Sequence, residues 1–285
     1  MLSGGTAPAT LRRAGVVGHP IDHSLSPLLH RAAYEALGLR QWSYGAVDVP
    51  AGELAGYVAS LGPEWTGLSV TMPGKEEALA LAVGLGEAAL LTGAANTLVR
   101  REEGWWADNT DVHGLTAALA EAGLRSPGTA VVLGGGATAR SALVALTALG
   151  VTAVDVRVRD DLRPQTAALL ERLGPTATVR RLSEAPVVLD RAVADVVIST
   201  LPVSATPPVV LGAADPPVVL DVVYAPWPSP FARAVVDAGE GRVPVVRGTA
   251  MLLHQAVRQV ELMTGHDGPV EAMRAALVEH LAAVA

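Results

Sequence analysis

Of the 21 lysine and arginine residues in this chain, a single one is lysine, Lys75. Arginine keeps its proton throughout the useful pH range, whereas a lysine ammonium can release and regain one near neutrality, so a proton-transfer site accepts Lys and not Arg. Composition gives the lone lysine two readings of equal weight, such a site or drift in an arginine-rich sequence, and its neighbours must decide. Two other groupings suit anions. Ser24 and Ser26 flank Leu25 just before Pro27, and paired hydroxyls ahead of a helix can hold a carboxylate or phosphate, with Ser26 as a plain helix cap the competing reading. The run Gly134-Gly135-Gly136-Ala137-Thr138-Ala139 has the glycine spacing that lets backbone N–H groups and a positive helix end meet a pyrophosphate, the alternative being a tight turn with no ligand.

Arg159 and Arg163 follow at the distance where a dinucleotide site reads the adenosine ribose, and they could pair with the 2′-phosphate of NADP. Asp160 and Asp161 lie between them and would instead suit the ribose diol of NAD, and Arg163 reads equally well as a solvated loop residue. His19 and His23 have metal-like spacing, but Pro20 denies them a common helix face and no third ligand is evident, so no metal is expected. Cysteine is absent, which excludes disulfides, thiolate metal sites and a cysteine nucleophile.

These residues need elements to hold them. Short apolar segments at Ala14–Gly18, Tyr44–Val49, Gly67–Val70 and Thr97–Val99 alternate with helical patterns at Pro27–Leu37, Glu53–Leu61 and Glu76–Leu85, which predicts an α/β domain with a mainly parallel sheet. A helix is predicted over Asp111–Ala122. Strand Thr129–Leu133, the glycine turn and a helix to Leu149 then open a second series: strand Ala153–Val158, helix Pro164–Leu173, and strands Val179–Leu182, Val196–Ser199 and Val218–Val222. That is a doubly wound, Rossmann-like nucleotide-binding arrangement. Helical patterns at Met251–Thr264 and Val270–Val284 have no strand beyond them and are expected to return to the first domain. The expected division is 1–110 plus 247–285 for substrate and catalysis, and 111–246 for the dinucleotide, the two meeting at a cleft.

Length and composition agree. A chain of 285 residues, 50% hydrophobic, can bury two cores. The net charge of -7, without a basic block, argues against a nucleic-acid partner. The longest uncharged segment, Val196–Ala214, holds Pro202, Pro207 and Pro208, so no membrane span is expected, and no signal peptide is read at Met1–Thr10; a cytoplasmic protein is expected.

From about Gly15 to Gln259 the motifs fall in the order of the shikimate dehydrogenase family. Gly18-His-Pro-Ile-Asp-His-Ser-Leu-Ser-Pro27 resembles the family's substrate-carboxylate loop, and Val70-Thr-Met-Pro-Gly-Lys75 its catalytic-lysine segment. Gly93-Ala-Ala-Asn-Thr97 and Asp108-Asn-Thr-Asp111 are similar to the segments supplying an amide and a carboxylate to substrate hydroxyls, and both asparagines of the chain, Asn96 and Asn109, lie there. Gly248-Thr-Ala-Met-Leu-Leu-His-Gln255 resembles the closing helix whose glutamine touches substrate and whose methionine borders the nicotinamide. Two departures stand out. Ser69 occupies a position that is Asn in many members, and the usual Asn-Arg-Thr after the second cofactor strand reads Val158-Arg159-Asp160.

The resemblance implies reversible NADPH-dependent reduction of 3-dehydroshikimate to shikimate, in aromatic amino-acid biosynthesis. It implies Lys75 as proton donor, held by Asp111, which also orients a substrate hydroxyl. Ser24 and Ser26 would take the carboxylate, with Thr71, Asn96, Tyr224 and Gln255 completing the substrate pocket. The cofactor would lie over Gly134, Gly135, Gly136, Ala137 and Thr138, its 2′-phosphate at Arg159 and Arg163 and its nicotinamide near Thr200, Gly248 and Met251. The small-molecule substrate is the only partner implied, acting on a monomer or homodimer. Two rivals remain: an NAD-preferring quinate/shikimate dehydrogenase, and a nucleotide-sensing module that has lost turnover.

Overall fold

The structure, a computed structural model, describes residues 11–284; Met1–Thr10, where no leader is read, lies outside the described residues. Backbone contacts divide the chain into two compact units. The first holds the described chain up to Ala89, Ala94–Asp108 and the chain from Ala256; the second holds Leu90–Gly93 and Asn109–Gln255.

Along the chain the first unit is built from β1 (Arg12–Gly18), α1 (Ser26–Ala36), β2 (Trp42–Asp48), α2 (Leu54–Ala59), β3 (Trp65–Val70), α3 (Lys75–Leu81) and β4 (Gly84–Leu85). Next come α4 (Glu87–Thr92), whose last residues belong to the second unit, then β5 (Thr97–Arg101) and β6 (Gly104–Asp108). Its sheet has the order β2-β1-β3-β5-β6-β4, with β5 antiparallel to β3 and β6 and the other pairs parallel. Residues Ala14–Gly18 of β1 and Thr66–Val70 of β3 are continuously buried, as expected of central strands covered on both faces. Val17, Leu68, Leu98 and Ala78 meet in the core there.

The second unit continues with α5 (Asp111–Glu121), β7 (Thr129–Leu133), α6 (Ala137–Ala148), β8 (Ala153–Val158), α7 (Pro164–Leu173), β9 (Thr176–Arg181), β10 (Val187–Leu189), β11 (Val196–Ser199), β12 (Val209–Leu211), β13 (Val218–Asp221), α8 (Pro230–Ala238) and β14 (Val245–Arg247). Its main sheet is parallel throughout, in the order β14-β13-β11-β7-β8-β9, while β10 and β12 form a small separate pair. Strand β7 sits where the winding reverses, which is the switch point at which such sheets bind dinucleotides. Helix α9 (Gly248–Thr264) gives its first residues to this unit and the rest to the first, and α10 (Val270–Ala283) packs on α1 of the first unit.

The helix expected over Glu76–Leu85 stops at Leu81, because Ala82 is extended (ψ 139°) and Gly84–Leu85 pair with β6. Strand β9 begins at Thr176 and is exposed along its whole length, so its polar side chains carry no apolar period to read.

Candidate active site

In the first unit, parallel pairing brings the carboxyl ends of β1 and β3 to one edge, and the loops leaving them are bonded together. The His19 amide donates to the Met72 carbonyl at 3.0 Å and the Thr71 amide to the Val17 carbonyl at 2.9 Å. Gly18 permits this approach: a Cβ there would stand 2.3 Å from the Thr71 methyl and 2.8 Å from the Met72 carbonyl oxygen. Neighbouring β5 adds two ties. The Val70 amide donates to the Asn96 carbonyl at 2.7 Å, and the Ala95 amide donates to the Lys75 carbonyl at 2.8 Å. Ser24, Ser26, Thr71, Lys75 and Asn96 are therefore carried by one edge of a single sheet, outside the carboxyl ends of its parallel strands, where α/β sheets bind ligands. Lys75 is the first residue of α3, behind Gly74, and is half-buried.

Ser26 is not a helix cap. Leu25 occupies the cap position of α1 and no side chain caps that helix; Ser26 is buried, with Pro27 behind it in the first turn. The Ser24 hydroxyl accepts weakly from the Ser26 amide at 3.4 Å. His19 bonds Asp48 at 2.6 Å.

Behind this edge lies a fully buried histidine, His30, stacked on Tyr44 with 3.9 Å between ring centroids and bonded through Nε2 to Gln259 Oε1 at 3.3 Å. Burial pushes its pKa down from 6.5 to about 3, the bond to Gln259 offsetting part of the shift. Between those two values the unfolded chain binds a proton that the native state refuses, so stability falls as pH falls from about 6.5 towards about 3. The slope is at most about 1.4 kcal/mol per pH unit for this one group. Denaturant titrations between pH 7 and 5 should show a shallower pH dependence in His30→Gln than in the native sequence; equal slopes would mean that His30 charges freely in the folded state.

In the second unit, Asp111 is buried at the first position of α5, where the helix dipole favours a carboxylate. Asn109 fixes that start. Its Oδ1 accepts from the Asp111 amide at 3.2 Å, while Nδ2 donates to Thr92 Oγ1 at 2.9 Å and to Ser141 Oγ of α6 at 3.1 Å. The same helix contributes Arg140, wholly buried, whose Nε donates to the Thr92 carbonyl at 2.5 Å. One turn into α5, Gly114 lets α9 approach: a Cβ would meet the Met251 carbonyl oxygen at 2.7 Å and Gln255 Cβ at 2.9 Å. Asp111, Met251 and Gln255 are thus placed by two closely packed helices. Tyr224 is half-buried after β13, its carbonyl accepting both Nε and Nη2 of Arg247.

The glycine turn fits a dinucleotide. Gly134 has φ +111°, and a Cβ on it would lie 2.3 Å from Thr200 Oγ1, so only glycine serves there. Thr200 is held in turn by its hydroxyl donating to the Leu133 carbonyl at 2.8 Å. A Cβ on Gly136 would meet nothing within 4 Å, which leaves open space beside the N-terminus of the 12-residue helix α6. Ala137 and Thr138 form its first turn. From α7, the buried Thr166 hydroxyl donates to the Gly135 carbonyl at 2.8 Å and braces the loop from behind. Gly248 has a packing reason as well, since a Cβ would lie 2.0 Å from the Val222 carbonyl oxygen. Arg159 is the first residue beyond β8 and is exposed; its Nε meets Asp160 Oδ2 at 3.0 Å. Arg163 is exposed at the cap position of α7.

The shikimate dehydrogenase substrate binding domain model matches residues 16–98, and the shikimate 5′-dehydrogenase C-terminal domain model matches residues 248–278. A shikimate dehydrogenase (NADP(+)) from Methanopyrus kandleri is 36% identical over 281 residues, covering 94% of this chain and 95% of that protein. The chain belongs to the shikimate dehydrogenase family. Among solved structures, the Mycobacterium tuberculosis shikimate dehydrogenase is 43% identical with a TM-score of 0.78, over 93% of this chain and 99% of that one. A Thermus thermophilus shikimate 5-dehydrogenase, determined in complex with NADP(H) and shikimate, is 31% identical with a TM-score of 0.76, over 94% and 99% of the two chains. The family's two-domain α/β architecture, with a Rossmann-like cofactor domain and C-terminal helices on the substrate domain, is the one described above.

Reading the sequence missed the residues that work one layer out: Tyr44, Arg140, Ser141, Thr166 and Gln259. Arg140 left a trace, as the only charged side chain inside the otherwise small and apolar run Ala137–Ala148. Gln259 left one too, sitting one helical turn after Gln255.

Proposed function

We propose that this protein catalyses the reversible NADPH-dependent reduction of 3-dehydroshikimate to shikimate in aromatic amino-acid biosynthesis. The observation that carries the reading is the sheet edge of the first unit, whose backbone-tied segments carry a lysine, an amide and three hydroxyls, in a chain whose second unit offers a glycine turn at a parallel-sheet switch point. When bound, NADPH supplies a hydride to the substrate carbonyl carbon. The alkoxide so formed needs a proton, and Lys75 donates it. Ser24 and Ser26 take the carboxylate, Thr71, Asn96 and Gln255 the ring hydroxyls, with Tyr224 beside them. Asp111, acceptor-only when ionised, binds a substrate hydroxyl.

On the cofactor side, Gly134, Gly135, Gly136, Ala137 and Thr138 hold the pyrophosphate, Arg159 and Arg163 the 2′-phosphate, and Thr200, Gly248 and Met251 border the nicotinamide. No helix among the described residues is long and apolar enough to cross a membrane; we place the enzyme in the cytoplasm, as a monomer or homodimer. We divide the chain into a substrate domain (1–110 and 247–285) and a cofactor domain (111–246).

An absorbance assay of the purified protein with shikimate or quinate against NADP or NAD tests the reading directly. Shikimate with NADP should turn over fastest. Faster turnover of quinate with NAD would move the protein to the quinate/shikimate class, and no turnover with any pair would leave a nucleotide-sensing module.

A further inference from the structure

A chain of buried polar side chains runs behind the substrate edge of the first unit, and each hydroxyl in it has only one proton to give. The Tyr44 phenol donates to Ser69 Oγ at 2.5 Å, and Ser69 donates to Gln259 Oε1 at 2.7 Å. The other end of that amide, Gln259 Nε2, donates to the Asn96 carbonyl and to Thr97 Oγ1, both at 3.0 Å. The Thr97 hydroxyl then donates to Asn96 Oδ1 at 2.8 Å. Tyr44, Ser69, Gln259, Thr97 and Asn96 are all buried. The chain therefore ends on a residue assigned to a substrate hydroxyl.

We propose that Tyr44, Ser69 and Gln259 are positioning residues for the substrate, holding Asn96 in place through this directed relay. The inference rests on the reading that Asn96 binds substrate. Gln259 Nε2 takes both the Asn96 carbonyl and Thr97, and Thr97 takes Asn96 Oδ1, so one amide fixes the backbone and the side chain of Asn96 together. That amide is oriented in turn through its Oε1, which accepts from Ser69 and from His30 Nε2. His30 Nδ1, buried without a hydrogen-bond partner, is then the ring's acceptor nitrogen, consistent with the proton on Nε2.

The test is steady-state kinetics on the full-length enzyme with shikimate and NADP, together with melting curves, for Tyr44→Phe, Gln259→Met, Asn96→Ala and the double variant Gln259→Met/Asn96→Ala. Losing a single neutral hydrogen bond corresponds to about threefold to tenfold in affinity. Tyr44→Phe and Gln259→Met should each raise KM for shikimate by about that factor. Neither should change kcat or KM for NADP beyond about twofold, and Gln259→Met should add less than about twofold once Asn96 is Ala. If Gln259→Met fails to fold, Ser69→Ala replaces it, with Ser69→Thr expected to restore KM because it keeps the hydroxyl. An unchanged KM for shikimate in the relay variants, equal losses for substrate and cofactor, or full multiplication of the Gln259→Met and Asn96→Ala effects would overturn the proposal. An unchanged KM in Asn96→Ala alone would instead remove the substrate-site reading, and the relay with it.

Discussion

Replacing Lys75 with Ala should lower kcat by roughly 10²- to 10⁴-fold, the range expected for losing a positioned general acid, while KM for shikimate changes far less. The structure makes this a clean experiment. The Lys75 backbone is tied through its carbonyl to the Ala95 amide, a bond that any side chain at this position preserves, so Asn96 next along should keep its place. Within α3 the residue that enters the core is Ala78. Lys75→Arg is the sharper variant. It keeps the positive charge and most of the length, so a role confined to electrostatic binding of an anionic substrate or cofactor would survive it. A role as proton donor would not, because a guanidinium yields no proton in this pH range. Near-normal turnover in Lys75→Arg would end the acid–base assignment.

The lone lysine was conspicuous in the sequence because composition had removed every competitor, and the glycine turn was conspicuous because strand, glycine and helix follow in contiguous order. Elements with a strong local period were legible to the residue, β7, β8, α7 and β11 among them. Those that were not fall into two kinds. Strands β4, β10, β12 and β14 have two or three residues each, too short to show alternation. Helix α4 has only six residues, and strand β6 and helix α8 are longer, but β6 is dominated by Trp105 and Trp106 in a turn-flanked segment. Their existence is decided by pairing with β5 and by packing, which are tertiary facts.

For the site, the residues proposed to touch ligands were read from motifs that set them in contiguous strings. The residues that hold them were not. Ser69 was visible only as a departure from a common Asn, and its meaning lies in partners 25 residues before it and 190 after it, Tyr44 and Gln259. Arg140 and Ser141 reach Thr92 and Asn109 across similar gaps in sequence. A hydrogen bond between residues so far apart leaves no spacing rule on a single sequence, only an out-of-place polar residue on an apolar face.

The choice of cofactor turns on the contact in which Arg159 is found. Its guanidinium pairs with Asp160 at 3.0 Å, with the side chains 86% and 75% exposed. Exposed pairs of this kind contribute about 0 to 1 kcal/mol, since water screens them and both side chains must be ordered. A 2′-phosphate bound to the same guanidinium gains a charge-assisted hydrogen bond of roughly 1.5 to 3 kcal/mol, about tenfold to a hundredfold in affinity. On the proposed assignment of Arg159 to the 2′-phosphate, the phosphate would win the arginine from Asp160 and favour NADP despite the acidic loop. Arg159→Ala should cut kcat/KM for NADP by at least about tenfold and leave the value for NAD nearly unchanged. Asp160→Ala should move the ratio further towards NADP, because it frees the guanidinium and removes a negative charge beside the phosphate, and the gain should shrink as salt is raised. The pair of variants separates two uses of this loop. If Asp160 serves a ribose diol, its loss should weaken NAD selectively; if it only competes for Arg159, NAD should be indifferent. A native enzyme that prefers NAD, with Arg159→Ala altering neither cofactor, would remove Arg159 from the site and leave the acidic loop as the reader of the ribose.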